Sequence, residues 1–140
     1  MKKYILVTGG AGFIGSNLIN YFLKKTNFHL ISLDNYSTGL KKNHIKSSRV
    51  KYIKGENQDI TFLLKKFRNK IHTIFHFGEF SRIYQSFLHY DKCIRSNLKG
   101  SFEVVTFATK NNIKIIYSAT SSMLGNNGKD ENLSPYTWSK

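Results

Sequence analysis

The chain has 140 residues, of which 40% are hydrophobic and 14% aromatic, so it can fold around one core and is not disordered. Its formal net charge is +14, from 22 Lys and Arg residues against 8 Asp and Glu residues. The lysines are scattered and fall mostly at predicted helix ends and loops, and no recognition helix or stacking motif accompanies them. The composition therefore favours a solvated basic surface, and we expect no nucleic-acid partner.

The single cysteine, Cys93, excludes an intrachain disulfide and a cysteine metal cluster. Its position on a predicted helix face indicates a buried thiol, and we expect no metal site. No apolar run approaches the roughly 18 residues that a membrane-spanning helix needs. Met1 leads directly into a predicted strand with no apolar signal segment. We therefore expect a soluble, cytoplasmic protein without a membrane partner.

The predicted elements alternate between strands and helices along the chain. Short apolar runs predict strands at residues 4–8, 30–34, 50–53, 71–77 and 113–118. Helical spacing of apolar residues predicts helices from the first glycines to about Lys25, around 60–67, and from Ser81 to about Asn111 with a break near 89–91. Pro135 suits the first turn of a helix that starts at Tyr136. This alternation predicts βαβ units in a parallel, doubly wound α/β sheet.

The first predicted strand leads into a glycine-rich loop, Thr8–Gly15, with the sequence TGGAGFIG. Its last six residues fit G-x-G-x-x-G, directly after an apolar strand and at the start of an amphipathic helix. Glycines permit a tight turn and a close approach of the backbone to a pyrophosphate, which the free N–H groups of the helix N-terminus then bind. The loop predicts a dinucleotide site that includes Gly9, Gly12, Phe13, Ile14 and Gly15.

Asp34 ends the second predicted strand, downstream of the glycine loop. An acid at this place can accept hydrogen bonds from the adenosine ribose hydroxyls, and its charge repels a 2′-phosphate, which favours NAD over NADP. The alternative is an acid at a strand end that only caps the following turn.

Four segments in this order make the chain resemble the extended short-chain dehydrogenase/reductase family, in its NAD-dependent nucleotide-sugar epimerase/dehydratase branch. They are TGGAGFIG at 8–15, DNYSTG at 34–39, SNLKGS at 96–101 and SPYTWSK at 134–140. The resemblance covers the whole chain. It implies a Rossmann-type sheet of about five strands in the order 3-2-1-4-5, as one NAD-binding domain over residues 1–140. It also implies that the last strands and the substrate-binding domain of the family lie beyond Lys140.

The resemblance extends the NAD site beyond the glycine loop. Asn35 follows the ribose-binding acid. Glu56 stands where the family has an acid that contacts the adenine amino group, with Asp59 as the alternative alignment. Phe77 and Gly78 follow the fourth strand, where the family carries small residues beside the cofactor.

The resemblance implies catalytic roles for Thr120, Tyr136 and Lys140, and it also places Tyr136 and Lys140 in the NAD site. Tyr136 and Lys140 are four residues apart in a predicted helix and share a face. A phenol has a pKa near 10 in water, and a nearby ammonium and an oxidised nicotinamide favour its ionised form. Tyr136 would take a proton from a sugar hydroxyl while hydride leaves the same carbon for NAD. Thr120, counted back from Gly125, would hydrogen-bond that hydroxyl and the developing ketone.

The residues after Thr120 separate the reactions of the branch. Dehydratases of the branch place an Asp-Glu pair there and decarboxylases typically a Glu at the second position, whereas this chain has Ser121 and Ser122. These serines are substrate candidates, or replace Thr120 if the register slips. Leu124 stands where the family usually has tyrosine. The resemblance favours C4 epimerisation of a UDP-sugar through a transient 4-keto intermediate. The alternatives are a nucleotide-sugar dehydrogenase, reductase or dehydratase and, in another class, a non-catalytic NAD-binding regulator.

Several residues near the predicted site allow two interpretations. Glu79 departs from the family pattern and contacts substrate or ribose, or else faces solvent. Arg82 reaches a sugar or pyrophosphate, or is a surface arginine at a helix start. His76 is expected to be a hydrogen-bonding residue at a strand end and not a base. Asn97 is expected to hold the water network of Tyr136 and Lys140 and to belong to the NAD site, with a surface amide as the alternative.

We expect the full-length form to be a homodimer. The helix from about Asp91 presents four apolar side chains, some of which would pack on a partner or on a further helix, namely Ile94, Leu98, Val105 and Phe107. Only the first turn of the last predicted helix precedes Lys140. We therefore expect this turn to lack anchors and the 140-residue chain alone to be inactive.

Overall fold

The computed structural model describes residues 3–122, 124 and 133–140. Within them, five parallel strands form one sheet, namely β1 Tyr4–Thr8, β2 His29–Asp34, β3 Val50–Lys54, β4 Ile71–His76 and β5 Lys114–Tyr117. Their order is β3-β2-β1-β4-β5, so the winding direction reverses between β1 and β4. The predicted fold and strand order are confirmed.

Helices connect these strands, namely α1 Phe13–Lys25, α2 Ile60–Leu63, α3 Ile83–Leu88, α4 Tyr90–Ile94, α5 Ser101–Lys110 and α6 Pro135–Ser139. A π-helical turn, Arg95–Gly100, joins α4 to α5. The predicted break near residues 89–91 lies at His89, whose φ of −129° and ψ of 50° leave the helical region. In the part of the chain described above, no helix is both long and apolar enough to span a bilayer.

The sheet is covered on both faces by the connecting helices. One face packs Leu6, Leu33 and Ile74 in a cluster that includes residues of α2 and α5. The other face packs Val7 and Leu30 against α1. Because the central strands are buried on both sides, they consist of near-continuous apolar runs.

Of the apolar side chains expected to include a partner-facing set, Leu98 and Val105 are 40% and 49% exposed, whereas Phe107 is only 2% exposed and belongs to the core. Val105 and Phe107 are two positions apart, which places them on opposite sides of a helix with 3.6 residues per turn. The exposed large apolar side chains from α3 to α5 are Ile83, Tyr84, Phe87, Leu88, Tyr90, Leu98, Phe102 and Val105.

The glycine-rich loop brings β1, β4 and α1 into close contact. Gly9 has a φ of +69°, and a Cβ at this position would lie 2.9 Å from the Gly78 backbone, which follows β4. A Cβ at Gly15, in the first turn of α1, would overlap the Gly9 carbonyl oxygen and lie 2.8 Å from the Gly10 Cα. The loop therefore has this shape only with glycine at both positions.

The glycine loop yields a prediction about stability. In Gly15→Ala the added Cβ would clash with the backbone of Gly9 and Gly10. We expect this substitution to lower the free energy of unfolding by about 1–3 kcal/mol. Gly12→Ala is the matched control, since Gly12 has extended backbone angles and its Cβ would meet only the Gly9 oxygen, at 3.2 Å. Urea unfolding followed by circular dichroism measures both, and equal midpoints for the two variants would contradict the prediction.

Candidate active site and cofactor cleft

A cleft of about 590 Å³ lies at the carboxyl ends of β1, β2 and β4, where the winding direction reverses. Ligands of open α/β sheets bind at such a point. The predicted site residues that line it are Gly9, Asp34, Asn35, Glu56, Phe77, Gly78, Glu79 and Arg82. Gly12, Phe13, Ile14 and Gly15 lie at the start of α1, with the side chains of Phe13 and Ile14 exposed.

The glycine loop has the features that a pyrophosphate needs. The first-turn N–H groups of a helix such as α1 have no partner inside the helix. No acidic side chain lies in that first turn. A Cβ at Gly12 would meet only one protein atom within 4 Å, so the space beside this residue is open to a ligand. The loop therefore fits a dinucleotide.

Asp34 is buried at the wall of the cleft and both its oxygens bind backbone. Oδ2 accepts a hydrogen bond from the Ala11 N–H at 2.9 Å, and Oδ1 accepts one from the Tyr36 N–H at 2.8 Å. Asp34 therefore caps the following turn, and it also holds the glycine loop. A carboxylate has about four acceptor positions, so these two bonds leave room for ribose hydroxyls.

The position of Glu56 supports its assignment as the adenine-side acid. Asn35 Nδ2 donates to Glu56 Oε2 at 3.0 Å, which fixes the carboxylate at the cleft. Asp59, the alternative, lies in a separate surface depression next to Phe62 and Lys65.

A chain of hydrogen bonds starts at the junction of β1 and β4. The Thr8 hydroxyl oxygen accepts the N–H groups of Phe77 at 3.1 Å and Gly78 at 3.0 Å. A hydroxyl has one hydrogen, so Thr8 donates it to His76 Nδ1, at 2.7 Å. His76 therefore carries its proton on Nε2 and donates it to Ser101 Oγ at 2.9 Å. His76 is fully buried, and the structure gives it the predicted hydrogen-bonding role.

This chain ends at a buried carboxylate, Glu79. Ser101 donates to Glu79 Oε1 at 2.7 Å, and Lys140 Nζ forms an ion pair with Glu79 Oε2. Lys140 Nζ also donates to the Ser118 carbonyl oxygen at 2.5 Å. The side chains of Glu79 and Lys140 are 2% and 5% exposed, so the interpretation of Glu79 as a solvent-facing residue is wrong.

Tyr117 completes the surroundings of this pair. Its hydroxyl donates to Glu79 Oε1 at 3.0 Å, and Lys140 Nζ lies 4.8 Å from the centre of its ring. Burial, followed by the charge of Glu79 and this hydrogen bond, raises the pKa of Tyr117 above its ordinary value. Tyr117 therefore stays protonated and acts as a donor to the carboxylate.

The pKa of His76 is lowered to about 4, mainly because burial removes the solvation of its cation; the charge of Glu79 opposes this shift and the charge of Lys140 adds to it. The hydrogen bonds agree with a neutral ring. A proton on His76 Nδ1 would clash with the hydrogen that the Thr8 hydroxyl donates to this atom. If the Thr8 hydroxyl accepted from Nδ1 instead, it would lose one of the hydrogen bonds that it accepts from the N–H groups of Phe77 and Gly78.

The helix α6 is anchored, contrary to the expectation that it is not. Ser134 caps it by accepting the Thr137 N–H at 3.1 Å. Ser86 Oγ accepts the Tyr136 N–H at 3.2 Å, which joins α6 to α3. Ser139 Oγ accepts a hydrogen bond from Asn97 Nδ2 at 3.0 Å.

Asn97 lies in the π-helical turn and is 2% exposed. Besides its bond to Ser139, its amide exchanges hydrogen bonds with the Phe80 backbone, at 2.7 and 3.1 Å. Both amide hydrogens thus have protein acceptors. The contacts place Asn97 between α6 and the segment after β4, and not among the residues that line the cleft.

The Tyr136 hydroxyl donates to Thr120 Oγ1 at 3.4 Å, so two predicted catalytic residues meet. Thr120 Oγ1 also lies 2.8 Å from Ser122 Oγ and accepts the Ser122 N–H at 3.2 Å. Ser121 is exposed. Gly125, from which Thr120 was counted, lies outside the described residues.

Other predicted positions are less constrained. Arg82 precedes α3 as its N-cap, and it is exposed at the rim of the cleft. Both of its interpretations therefore stay open. Leu124 is 73% exposed.

Sequence reasoning missed the residues that surround Glu79 and Lys140, which are Thr8, Ser101, Tyr117 and the carbonyl of Ser118. The available signal was weak. Each of these polar residues lies at the end of an apolar strand, directly after one, or at the start of a helix. Which of them contact one another depends on which strand ends are adjacent in the sheet. The strand order supplies that information, since β1, β4 and β5 are adjacent.

Comparisons with known proteins agree with this geometry. Residues 5–140 match the NAD dependent epimerase/dehydratase family. The chain belongs to this family.

Relatives of this epimerase/dehydratase family member catalyse more than one reaction. The uncharacterized protein MJ1055 of Methanocaldococcus jannaschii is 33% identical, over 91% of this chain and 42% of that protein. UDP-glucose 4-epimerase of Neisseria meningitidis serogroup C is 29% identical, over 98% of this chain and 41% of that protein. UDP-glucuronic acid decarboxylase 6 of Arabidopsis thaliana is 30% identical, over 86% and 34%. The chain thus spans less than half the length of these relatives.

Solved structures show the same fold. The UDP-glucose 4-epimerase of Thermotoga maritima, solved with UDP-glucose, has a TM-score of 0.85 and 26% identity, over 98% of this chain and 47% of that one. The epimerase Mth375 of Methanothermobacter thermautotrophicus has a TM-score of 0.86 and 24% identity, over 98% and 44%.

The depressed pKa of His76 makes the stability of this family member pH-dependent. Between pH 6.5 and about 4 the unfolded chain binds a proton on this histidine that the folded chain does not. Stability therefore falls as the pH is lowered through this window, by about 3 kcal/mol for the full shift.

We expect urea unfolding at pH 7 and pH 4.5 to show this loss in the wild type. His76→Gln should be less stable at pH 7 but lose less stability on acidification. His72→Gln, at an exposed histidine, is the matched control and should follow the wild type. The same pH dependence in all three chains would contradict the assignment.

Proposed function

We propose that this chain is the NAD-binding part of a nucleotide-sugar 4-epimerase that acts on a UDP-sugar. The observation that carries the proposal is the meeting of Tyr136 and Thr120 hydroxyls, with Lys140 one helical turn from Tyr136. Glu79 lines the cleft and contacts Lys140, which connects this group to the cofactor cleft.

The proposed cofactor site runs along the carboxyl edge of the sheet. The glycine loop and the first turn of α1 would hold the pyrophosphate, Asp34 the adenosine ribose and Glu56 the adenine. Phe77 and Gly78 would lie along the cofactor after β4. Bound NAD supplies a hydride acceptor that can return the hydride to the same sugar carbon.

The residues of the chain would handle the proton of the sugar hydroxyl. Tyr136 would accept it at its phenol oxygen and later return it, and Thr120 would orient the sugar oxygen. The anchors of α6 on α3 and on Asn97 hold Tyr136 in place, which keeps the two hydroxyls together. Tyr117 is not a rival base, because its raised pKa keeps it protonated.

The residues after Thr120 carry no carboxylate, which favours epimerisation over elimination or decarboxylation. Ser121 and Ser122 occupy the positions that carry an acid in the dehydratases and decarboxylases that the branch includes. Glu79 is committed to Lys140, Ser101 and Tyr117, so it is not a free acid or base. Reversible oxidation at C4 needs neither.

We further propose that the whole protein is a homodimer and carries its sugar-binding part beyond Lys140. The exposed apolar side chains of α5, with Phe102 66% and Val105 49% exposed, support a surface that other protein covers.

Cofactor preference is the first test. We expect titration calorimetry of the chain to show tighter binding of NAD than of NADP, by about tenfold, because the Asp34 carboxylate opposes a 2′-phosphate. Asp34→Ala should remove this preference. It should also weaken both cofactors, since Asp34 holds the Ala11 N–H of the glycine loop.

The matched control is Asn43→Ala. Asn43 Nδ2 donates to the Ala11 carbonyl oxygen at 2.8 Å, so this variant disturbs the same loop without changing charge. Both cofactors should weaken equally, with the preference kept. An unchanged NAD-to-NADP ratio in Asp34→Ala would rule out the assigned role of Asp34.

The reaction is tested on a protein that continues past Lys140, incubated with UDP-sugars and followed by proton NMR. We expect interconversion of the C4 epimers without accumulation of NADH. Tyr136→Phe should reduce turnover at least about 100-fold, since general acid–base catalysis contributes this much, and leave NAD affinity within about twofold. Accumulated NADH would indicate a dehydrogenase. A dehydrated or decarboxylated product would indicate a dehydratase or a decarboxylase. NAD binding without turnover would indicate a regulator.

A further inference from the structure

The contacts of Lys140 show a cation that the protein holds before any ligand is present. An ammonium has three donors. Two of them are taken, by Glu79 Oε2 and by the Ser118 carbonyl oxygen. Among residues 3–122, 124 and 133–140, no hydrogen-bond partner takes the third N–H, and its direction is fixed by the other two, with Nζ 4.8 Å from the centre of the Tyr117 ring.

Glu79 is itself fixed from the opposite side. Its Oε1 accepts hydrogen bonds from Ser101 and Tyr117, and Ser101 is held by His76, which is held by Thr8. A charge this deeply buried persists only with such partners. The carboxylate is therefore rigid, and it transmits the position of the β1–β4 junction to Lys140.

At its Thr8 end, this chain of bonds does not lead to solvent. The hydrogens of Thr8, His76 and Ser101 point towards Glu79, and the Thr8 oxygen ends on the backbone N–H groups of Phe77 and Gly78. Thr8 and His76 are both fully buried, whereas Tyr117, at the Glu79 end, is 40% exposed. The bonds from Thr8 to Ser101 therefore fix the position of Glu79 from the interior of the protein.

We propose that Glu79 is a positioning residue that presents the ammonium of Lys140 to the nicotinamide half of the cofactor. The proposal rests on the proposed NAD site. Glu79 acts through Lys140 and does not itself contact the ligand. Its carboxylate also pairs the charge of Lys140, so the cofactor meets one directed N–H and not an unpaired cation.

The test is a double-mutant cycle in NAD binding by the chain, with ADP as the ligand that lacks the nicotinamide half. We expect Glu79→Gln and Lys140→Met each to weaken NAD by about tenfold, the size of one hydrogen bond to a charged group. ADP affinity should stay within about twofold. In the Lys140→Met background, Glu79→Gln should have no further effect on NAD, because its action passes through Lys140.

Glu103→Gln is the matched control, since it removes a carboxylate of α5 outside the cleft lining and should change neither ligand. Additive losses in the double variant would overturn the proposal and indicate that Glu79 contacts the cofactor directly. Equal losses of NAD and ADP would also overturn it, as a general structural effect. If circular dichroism shows that Glu79→Gln does not fold, the double variant Glu79→Met with Lys140→Met, which removes both charges, is compared with Lys140→Met alone. We expect the two proteins to have equal NAD affinities. Weaker NAD binding by the double variant would overturn the proposal.

A second readout needs no cofactor. In protein with ¹⁵N-labelled lysine side chains, the buried Lys140 ammonium should exchange slowly with water and give a signal at neutral pH, absent in Lys140→Met and lost in Glu79→Gln. A signal unaffected by Glu79→Gln would overturn the proposal. If the wild type binds neither NAD nor ADP while this signal behaves as expected, the proposed function fails and the positioning of Lys140 by Glu79 stands.

Discussion

The hydroxyl of Thr8 holds together the two strand ends on which the site is built. It binds the first two N–H groups after β4, and the residue that follows it, Gly9, touches Gly78 backbone to backbone. The winding direction of the sheet reverses between these strands, so the cleft opens there. The glycine loop on one side and the Glu79 segment on the other thus share one fixed origin.

Burial and hydrogen bonding account for the state of the polar groups next to the ends of β1 and β4. His76 is neutral because solvation of its cation is lost and Thr8 already supplies a hydrogen to Nδ1. Glu79 and Lys140 form a buried ion pair, and both have further hydrogen-bond partners. A neutral histidine beside a paired carboxylate and ammonium leaves this group of three side chains without a formal net charge.

Local patterns in the sequence were sufficient for the elements and their order in the chain. The apolar runs predicted the strands, and the proline before Tyr136 predicted the start of α6. The strand order 3-2-1-4-5 followed from the family resemblance and is confirmed. The periodicity did not separate Phe107 from Val105, because both sides of α5 carry apolar residues and only the side of Phe107 is covered.

The polar partners of the site could not be predicted in this way. Glu79 and Lys140 are 61 positions apart in the chain and meet only because β4, β5 and α6 end at the same edge. The anchors of α6 likewise come from Ser86 and Asn97, on helices that the sequence does not place in contact with it. Pairings of this kind depend on the three-dimensional arrangement and not on spacing.

The π-helical turn Arg95–Gly100 sets the rotational phase between two helices with different partners. Asn97 within it faces Ser139 of α6, while Ser101 directly after it faces Glu79 and Val104 enters the core. Deleting one residue, such as the exposed Lys99, would let the turn relax to α-helix but rotate α5 by about 100° against α4. Either the α6 anchor or the core contact would then be lost, so the exposed positions of this turn tolerate substitutions more readily than changes of length.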